Sequence, residues 1–441
     1  MNKSLINKIW IFFFLYTTTA SAFIQLILLP YITPSWHAGN GLISSLFDCI
    51  SFHRMAVDMA HNIHVYGWTA WQFLPQGQSP VGLIAAIYAL TFPQPWVIIP
   101  LNSFIHATSA IILLRIITLF LPDIKKAVFC VLPFLLYPSA ATWYAQIHKD
   151  GYFILGIFLV IYGLIEFSRC LIFFKKMIGV VKSFFLFIFG ILLVWFVRPY
   201  LLQYIIMLCS VVLFSAVIYS LISSFKVKKL MVVLNGGLIC LFFTAVLYLF
   251  YSQGNPALTN CDRKIIELKT KELTLKSIPI SLSLVVQKNV NSIIGLRDGF
   301  IMANGVANAK GGIDNTIRFS NASDIFLYLP RAAQVVLFSP FPQFWFSKGS
   351  FESNTLMRRI CGLEMIGIYF ALFFLLFAIW FWRRRIELWI ILFFCMSILL
   401  LQGLVINNIG TLYRLRYGLL MPLVALGIAG LIKLLENKCA E

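Results

Sequence analysis

PVGLIAAIYALTF, residues 80–92, closed by Pro93-Gln94-Pro95, decides how this chain threads. It is nearly all apolar, yet a hydrocarbon core of about 30 Å asks for roughly 20 such residues per helix. An apolar run of about 10–14 residues reads instead as an interfacial or re-entrant segment. Counted as non-crossing, it lets every later basic cluster fall on one side. Counted as a crossing, it reverses the side of everything after it.

The rest of the chain fits a bilayer. Of 441 residues, 60% are hydrophobic and 12% charged, against about 25% charged in a soluble domain. The formal net charge of +19 would suggest a nucleic-acid partner in a soluble protein. Here the Lys and Arg sit at the ends of apolar runs, where short cytoplasmic loops carry them, so no nucleic acid is expected. Residues 9–32 are longer than the h-region of a secretory signal, about 7–15 residues, and read as a first membrane helix. The nine cysteines show no metal-ligand spacing; Cys261 and Cys361 bracket a long polar segment and read either as unpaired thiols or as a bridge.

The expected architecture is an all-α polytopic membrane protein of about ten transmembrane helices. After residues 9–32, spans are expected at about 97–120, 127–146, 151–173, 183–198, 200–225, 230–251, 362–382, 386–406 and 414–434. Three regions follow: residues 1–251, a seven-helix membrane module whose first outer loop is 33–96; residues 252–361, an extracytoplasmic loop domain; and residues 362–441, a three-helix membrane segment. Within the loop domain, Leu284, Val285, Val290, Ile293, Ile294 and Phe300 have helical spacing. Six basic clusters mark alternate span ends: Lys3 with Lys8, Lys125-Lys126, Lys175-Lys176 with Lys182, Lys226 with Lys228-Lys229, Arg383 to Arg385, and Lys433 with Lys438. Both termini are therefore expected in the cytoplasm.

That threading puts Asp48, Lys149-Asp150, Arg198, Arg414 and Arg416 on the opposite face. Charges placed against the orientation bias beside hydrocarbon are costly and mark functional positions. Asp48 reads as a general base or as a helix-cap aspartate. Asp58 is a second candidate, with Arg54 four residues before it as a helical partner. Lys149-Asp150 opens a span, where Asp suits the helix dipole and Lys suits a phosphate. Arg198 and Arg414-Leu415-Arg416-Tyr417 suit bidentate capture of phosphate. His53 and Arg297 are secondary candidates, and His61 and His64 share a helical face with Asp58. No metal site is assigned, although a carboxylate such as Asp150 leaves a divalent cation open as a cofactor.

A first span followed by a long outer loop bearing Asp48, an interfacial segment, and a large outer insertion resembles the GT-C class of integral membrane glycosyltransferases. Short motifs at Asp48, Lys149-Asp150, Arg198-Pro199-Tyr200, Arg297-Asp298-Gly299-Phe300, Ser339-Pro340-Phe341-Pro342 and Arg414 to Tyr417 resemble those of bacterial envelope-polysaccharide membrane proteins. The resemblance implies a GT-C-like fold in a bacterial inner membrane, with inverting transfer of a sugar from a polyprenyl-(pyro)phosphate donor to a glycan, lipid or protein acceptor. By that resemblance Asp48 is the catalytic base, Asp150 the assisting carboxylate, and Lys149, Arg198, Arg414, Arg416 and Tyr417 the donor contacts. Cys49, directly after Asp48, departs from members with paired acids in the first loop and puts a metal-assisted version in doubt.

Two other functions compete. An O-antigen-polymerase-like enzyme would rely on the arginines and ask less of Asp48. A non-enzymatic transporter or flippase of lipid-linked sugars would show charges in mid-span and broken helices in related pairs, and mid-span charges are nearly absent.

Overall fold

The structure is a computed structural model describing residues 3–75, 78–172, 177–224, 282–306, 309–350 and 352–439. The described residues form helices and no strand. In chain order these are α1 (Lys3–Phe23, continued as a wide turn over Ile24–Ile32), α2 (Phe47–Tyr66), α3 (Ser79–Leu90), α4 (Ile99–Thr118), α5 (Ile124–Leu136), α6 (Pro138–Tyr144) and α7 (Asp150–Ile172). Then come α8 (Met177–Val197), α9 (Leu202–Ser224), α10 (Leu282–Val306), α11 (Ala322–Phe338), α12 (Glu352–Trp382), α13 (Ile386–Val405) and α14 (Ile409–Cys439). Eight helices among them are long and apolar enough to cross a membrane, or nine if α5 and α6, bent by 65° at Pro138, are one broken span. The chain is a multi-pass membrane protein. Phe12, Phe189, Phe214, Phe373 and Leu376 lie exposed on the outer faces of these helices, a surface for lipid rather than water.

Each expected span that lies among the described residues has a helix at its place; the one at 230–251 lies outside them, as does Cys261. Cys361 is a buried free thiol in α12. The C-terminal helices are longer than expected. α12 begins at Glu352 rather than near 362, and α14 at Ile409 rather than 414, because Asn408 Oδ1 accepts the Thr411 amide at 3.1 Å and caps it.

The deciding stretch is the short helix α3. Its 12 residues rise only about 18 Å. α3 packs instead on α2, whose buried Phe52, Ala56, Ala60 and Ile63 recur at helical spacing. The first three meet Val81, Ile84, Ala85 and Tyr88 of α3. Residues 71–73 fold over Gly82: Trp71 Nε1 donates to its carbonyl at 2.8 Å, and a Cβ there would lie 2.2 Å from the Phe73 carbonyl.

The crossing helices pack by close backbone approach. A Cβ on Gly156 of α7 would meet the Gly190 carbonyl of α8 at 2.9 Å, and one on Gly190 would meet Gly156 O at 2.7 Å. Such small-residue contacts are how helices associate where lipid supplies no hydrophobic drive. α1 runs against α4, with Trp10 Nε1 donating to Thr108 Oγ1 at 3.2 Å.

Lys126 pairs with Glu436, and Arg169 with Glu387, so the starts of α5 and α13 lie with the ends of α14 and α7. Arg385 donates to the Leu119 carbonyl, which adds the end of α4 to the same group. Three of the basic clusters, at 125–126, 383–385 and 433–438, thus share one end of the bundle. Of the segment 252–361, α10 is helical over the expected stretch. Its Val290, Ile293 and Ile294 pack with Phe319, Ile325, Tyr328 and Ala332 of the loop and α11, and with Leu404 of α13.

Candidate functional site

At the opposite end, four segments bring charged side chains together. Asp48 lies in the first turn of α2, where the helix dipole favours an acid; it is not the cap, which is Leu46. Lys149 and Asp150 begin α7, Arg198 sits in the two-helix corner before Pro199, and Arg414 lies in the second turn of α14. Asp150 is the hub. It accepts from Arg198, lies 3.2 Å from Arg414 Nε, and has His148 Nδ1 at 3.8 Å. Arg414 also reaches Asp48, Nη2 to Oδ2, at 3.4 Å. Lys149 donates to Gln78 Oε1 at 2.5 Å and lies 5.2 Å over the Phe52 ring, while Arg198 stacks 4.2 Å from the Phe153 ring.

The loop that delivers His148, Lys149 and Asp150 is fixed by amide side chains the sequence reading passed over. Asn102, in the first turn of α4, donates to Tyr144 O at 3.0 Å and Gln146 O at 2.8 Å. Gln25 donates to Ala145 O. Gln146 reaches the loop between α1 and α2, donating to Gly41 O at 2.9 Å and accepting from Ile43 N at 3.1 Å. A buried amide in a spanning helix needs partners, and that need was the available signal.

His148 and Cys49 also escaped notice as a pair. Cys49 Sγ lies 3.0 Å from His148 Nε2. Burial pushes the Cys49 thiol up, so it keeps its proton, and the other ring nitrogen, Nδ1, faces Asp150. Burial, with the positive charge of Arg414 added, pushes the His148 imidazole below its ordinary value. Burial likewise lowers Lys149. The cluster sets three basic side chains, Lys149, Arg198 and Arg414, beside the two acids Asp48 and Asp150.

Access is graded. The Asp48 side chain is 59% exposed, that of Arg414 17%, Asp150 10% and Arg198 6%. Asp48 alone meets solvent freely, with the cationic groups behind it. The donor set does not fit a divalent cation: no three His, Cys, Asp or Glu side chains converge among the described residues, and the Asp150 oxygens face guanidinium groups.

The remaining predicted residues lie elsewhere. Arg416 is fully buried and donates to Val336 O and Ser339 O at the end of α11, with Met365 Sδ at 3.1 Å. Two residues along a helix turn a side chain through about 200°, so Arg416 faces away from Arg414. Tyr417 is buried and donates to Phe134 O at 2.7 Å. In the structure both side chains occupy packing positions away from the cluster. Arg297 is a bolt of the loop region: it donates to Ile317 O and Leu404 O at 2.9 Å and Asp314 O at 3.2 Å, between the rings of Phe319 and Tyr328. His53 joins α2 to α3 through the Tyr88 hydroxyl at 3.0 Å. Asp58, His61 and His64 are exposed on the outer face of α2, and no ion pair joins Asp58 to Arg54 among the described residues.

Glu364 of α12 was not singled out from sequence. It is buried and accepts from Ser139 N at 2.8 Å, Ser139 Oγ at 2.6 Å and Tyr413 OH at 2.6 Å. This pins α6 and α12 to the residue preceding Arg414.

In comparisons with known proteins, no family model, no curated protein and no solved structure matches this chain.

Proposed function

We propose that this protein is an integral membrane glycosyltransferase that moves a sugar from a polyprenyl-(pyro)phosphate donor to an acceptor on the extracytoplasmic face, in cell-envelope polysaccharide or glycolipid synthesis. The observation that carries the reading is the convergence of Asp48, Lys149, Asp150, Arg198 and Arg414, from four segments distant in sequence, at the end of the bundle away from the basic clusters. Positive charge marks cytoplasmic loops, which puts both termini inside and this cluster outside.

The chemistry divides between the exposed acid and the cations behind it. Asp48 takes the proton of an acceptor hydroxyl, and the acceptor oxygen attacks the anomeric carbon from the face opposite the leaving group. The bond between that carbon and the phosphate oxygen breaks, and its electron pair leaves on the phosphate. Lys149, Arg198 and Arg414 stabilise the growing negative charge, an effect strengthened where water is scarce. Asp150 is a positioning residue that holds the two guanidinium groups together. The donor's arrival gives Arg414 a phosphate in place of Asp48, so the base is released as the substrate binds.

Asp48→Asn preserves shape but cannot accept a proton. In reconstituted membranes with a lipid-linked sugar donor it is expected to fold, to bind donor, and to lose about 10²–10⁴-fold in turnover. Near-normal product formation would remove Asp48 as the base.

A further inference from the structure

We propose that a recess beside the start of α14, floored by Asn304 and Asn315 and edged by Lys310, binds the end of an acidic saccharide chain. The recess has a volume of about 380 Å³ and is lined by Ile301, Asn304, Gly305, Ala309, Lys310 and Asn315. That is at the small end of ligand pockets, about 300–1,000 Å³, so it suits a chain end rather than a long stretch.

Its floor is built from amides. Asn304 Nδ2 donates to Asn407 Oδ1 at 2.9 Å, Asn407 Nδ2 to Asn315 Oδ1 at 2.8 Å, and Asn408 Nδ2 to Asn304 Oδ1 at 2.9 Å. Asn304 and Asn407 are buried. Backbone bonds stiffen the same place: Ile313 N donates to Asn407 O at 2.7 Å, and Ile409 N to Gly311 O at 2.8 Å. The amides are therefore preoriented by one another, which lowers the cost of ordering them around a ligand.

The network leaves capacity at its open side. Each amide oxygen has two lone pairs, and the exposed Asn315 Nδ2 makes no hydrogen bond among the described residues. Paired donors and acceptors of this kind match the vicinal hydroxyls of a sugar, and the aliphatic Ile301 offers a surface for the ring face. The charge at the rim sets the sign of the ligand. Lys310 is exposed and no carboxylate pairs with it among the described residues. A lining whose charged side chain is Lys310, with no acid among the lining residues, favours a sugar carrying a carboxylate or phosphate over a neutral one.

The recess is tied to the charged cluster by α14. Asn408 caps that helix, and Arg414 follows six residues later, about 9 Å along the axis. The recess and the charged cluster are thus served by the same helix. That the bound saccharide is the acceptor rests on the transferase reading; the binding itself does not.

The test is retention on an array of acidic and neutral microbial oligosaccharides, using the full-length protein in nanodiscs. Wild type is expected to hold acidic glycans above their neutral counterparts. Lys310→Ala and Asn315→Asp, both at exposed positions and the second keeping the oxygen that accepts from Asn407 Nδ2, are each expected to weaken that retention about tenfold. Asp48→Asn is expected to retain glycans as wild type does, so failure of the transferase reading would show in turnover and not here. No retention of any acidic glycan, or retention indifferent to both substitutions, would overturn the proposal.

Discussion

At one end of the bundle, Lys126, Lys433 and Glu436 form a chain of pairs at 2.6 and 3.3 Å with side chains a third or more exposed. At the other, Arg198, Asp150 and Arg414 form a triad whose side chains are 17% exposed or less. The first arrangement is what remains when topogenic charges meet an occasional acid in water, and such pairs contribute little. The second is expensive. Each ion has lost its hydration, and mutual attraction repays that only with good geometry. Asp150 Oδ2 and Arg414 Nε are buried without a hydrogen bond although 3.2 Å apart. The first end also holds a largely buried pair, Arg169 with Glu387 at 3.3 Å, but there Glu387 meets one arginine, whereas Asp150 holds two.

The largest test of this difference is Asp150→Ala. It leaves two buried guanidinium groups without their counter-ion, and breaking a buried pair in this way costs about 3–5 kcal/mol. Thermal unfolding in detergent should show a large drop in the midpoint. A variant as stable as wild type would mean that the cluster is solvated after all, and the contrast between the ends would collapse.

Arg414 and Arg416 sharpen the comparison within two residues. Arg416→Ala orphans the carbonyls of Val336 and Ser339, at about 1–3 kcal/mol for each buried group left unpaired. Arg414→Ala leaves Asp150 with Arg198, and is expected to lower donor affinity with a smaller loss of stability. If Arg416→Ala were as stable as wild type and bound donor weakly, Arg416 would belong to the site.

How much of this was legible in the sequence follows from what each signal measures. Hydropathy and span length made the helices readable. The proline-closed run at 80–92 identified α3, because length against bilayer thickness is a local property. The positive clusters sorted the ends and so selected Asp48, Lys149, Asp150, Arg198, Arg414 and Arg416 as companions, of which Arg416 is turned away from the rest. What they could not report is pairing. Asp150 meets Arg198 and Arg414 through helix packing, so the arginines looked partnerless in their own short loops. The same limit hid Arg416 and Tyr417, whose proximity to Arg414 along the chain suggested a shared role that helical phase denies them. The pairing of Cys49 with His148 was hidden because the thiol beside Asp48 read only as a departure from a paired-acid pattern.

His148 adds a pH signature confined to the buried end. Its imidazole is lowered by burial and by Arg414, so the folded protein keeps it neutral where the unfolded chain has begun to protonate it. Stability attributable to His148 is full above the unfolded value of 6.5 and is lost as the pH falls below it, since the unfolded state then binds more protons. His53, lowered by burial and by Arg54, contributes in the same direction. The thermal midpoint should fall between pH 7.5 and pH 5, and His148→Gln should show a shallower fall. An identical slope in the variant would show that His148 titrates alike in the folded and the unfolded chain, and that its burial carries no proton linkage.

The smallest expected effect is at the other end. Lys126→Ala combined with Glu436→Ala removes a pair at 2.6 Å whose side chains are a third or more exposed. Water replaces each partner once the other is gone, and ordering two long side chains offsets what their attraction supplies. The thermal midpoint and the turnover should both match wild type, at low and at high salt. Lys125 and Lys433 remain to hold the orientation of these helices, so insertion should be unaffected. A loss of stability approaching that of Asp150→Ala would show that this end is also built on desolvated charge, and burial would no longer distinguish the charges that position a ligand from those that set topology.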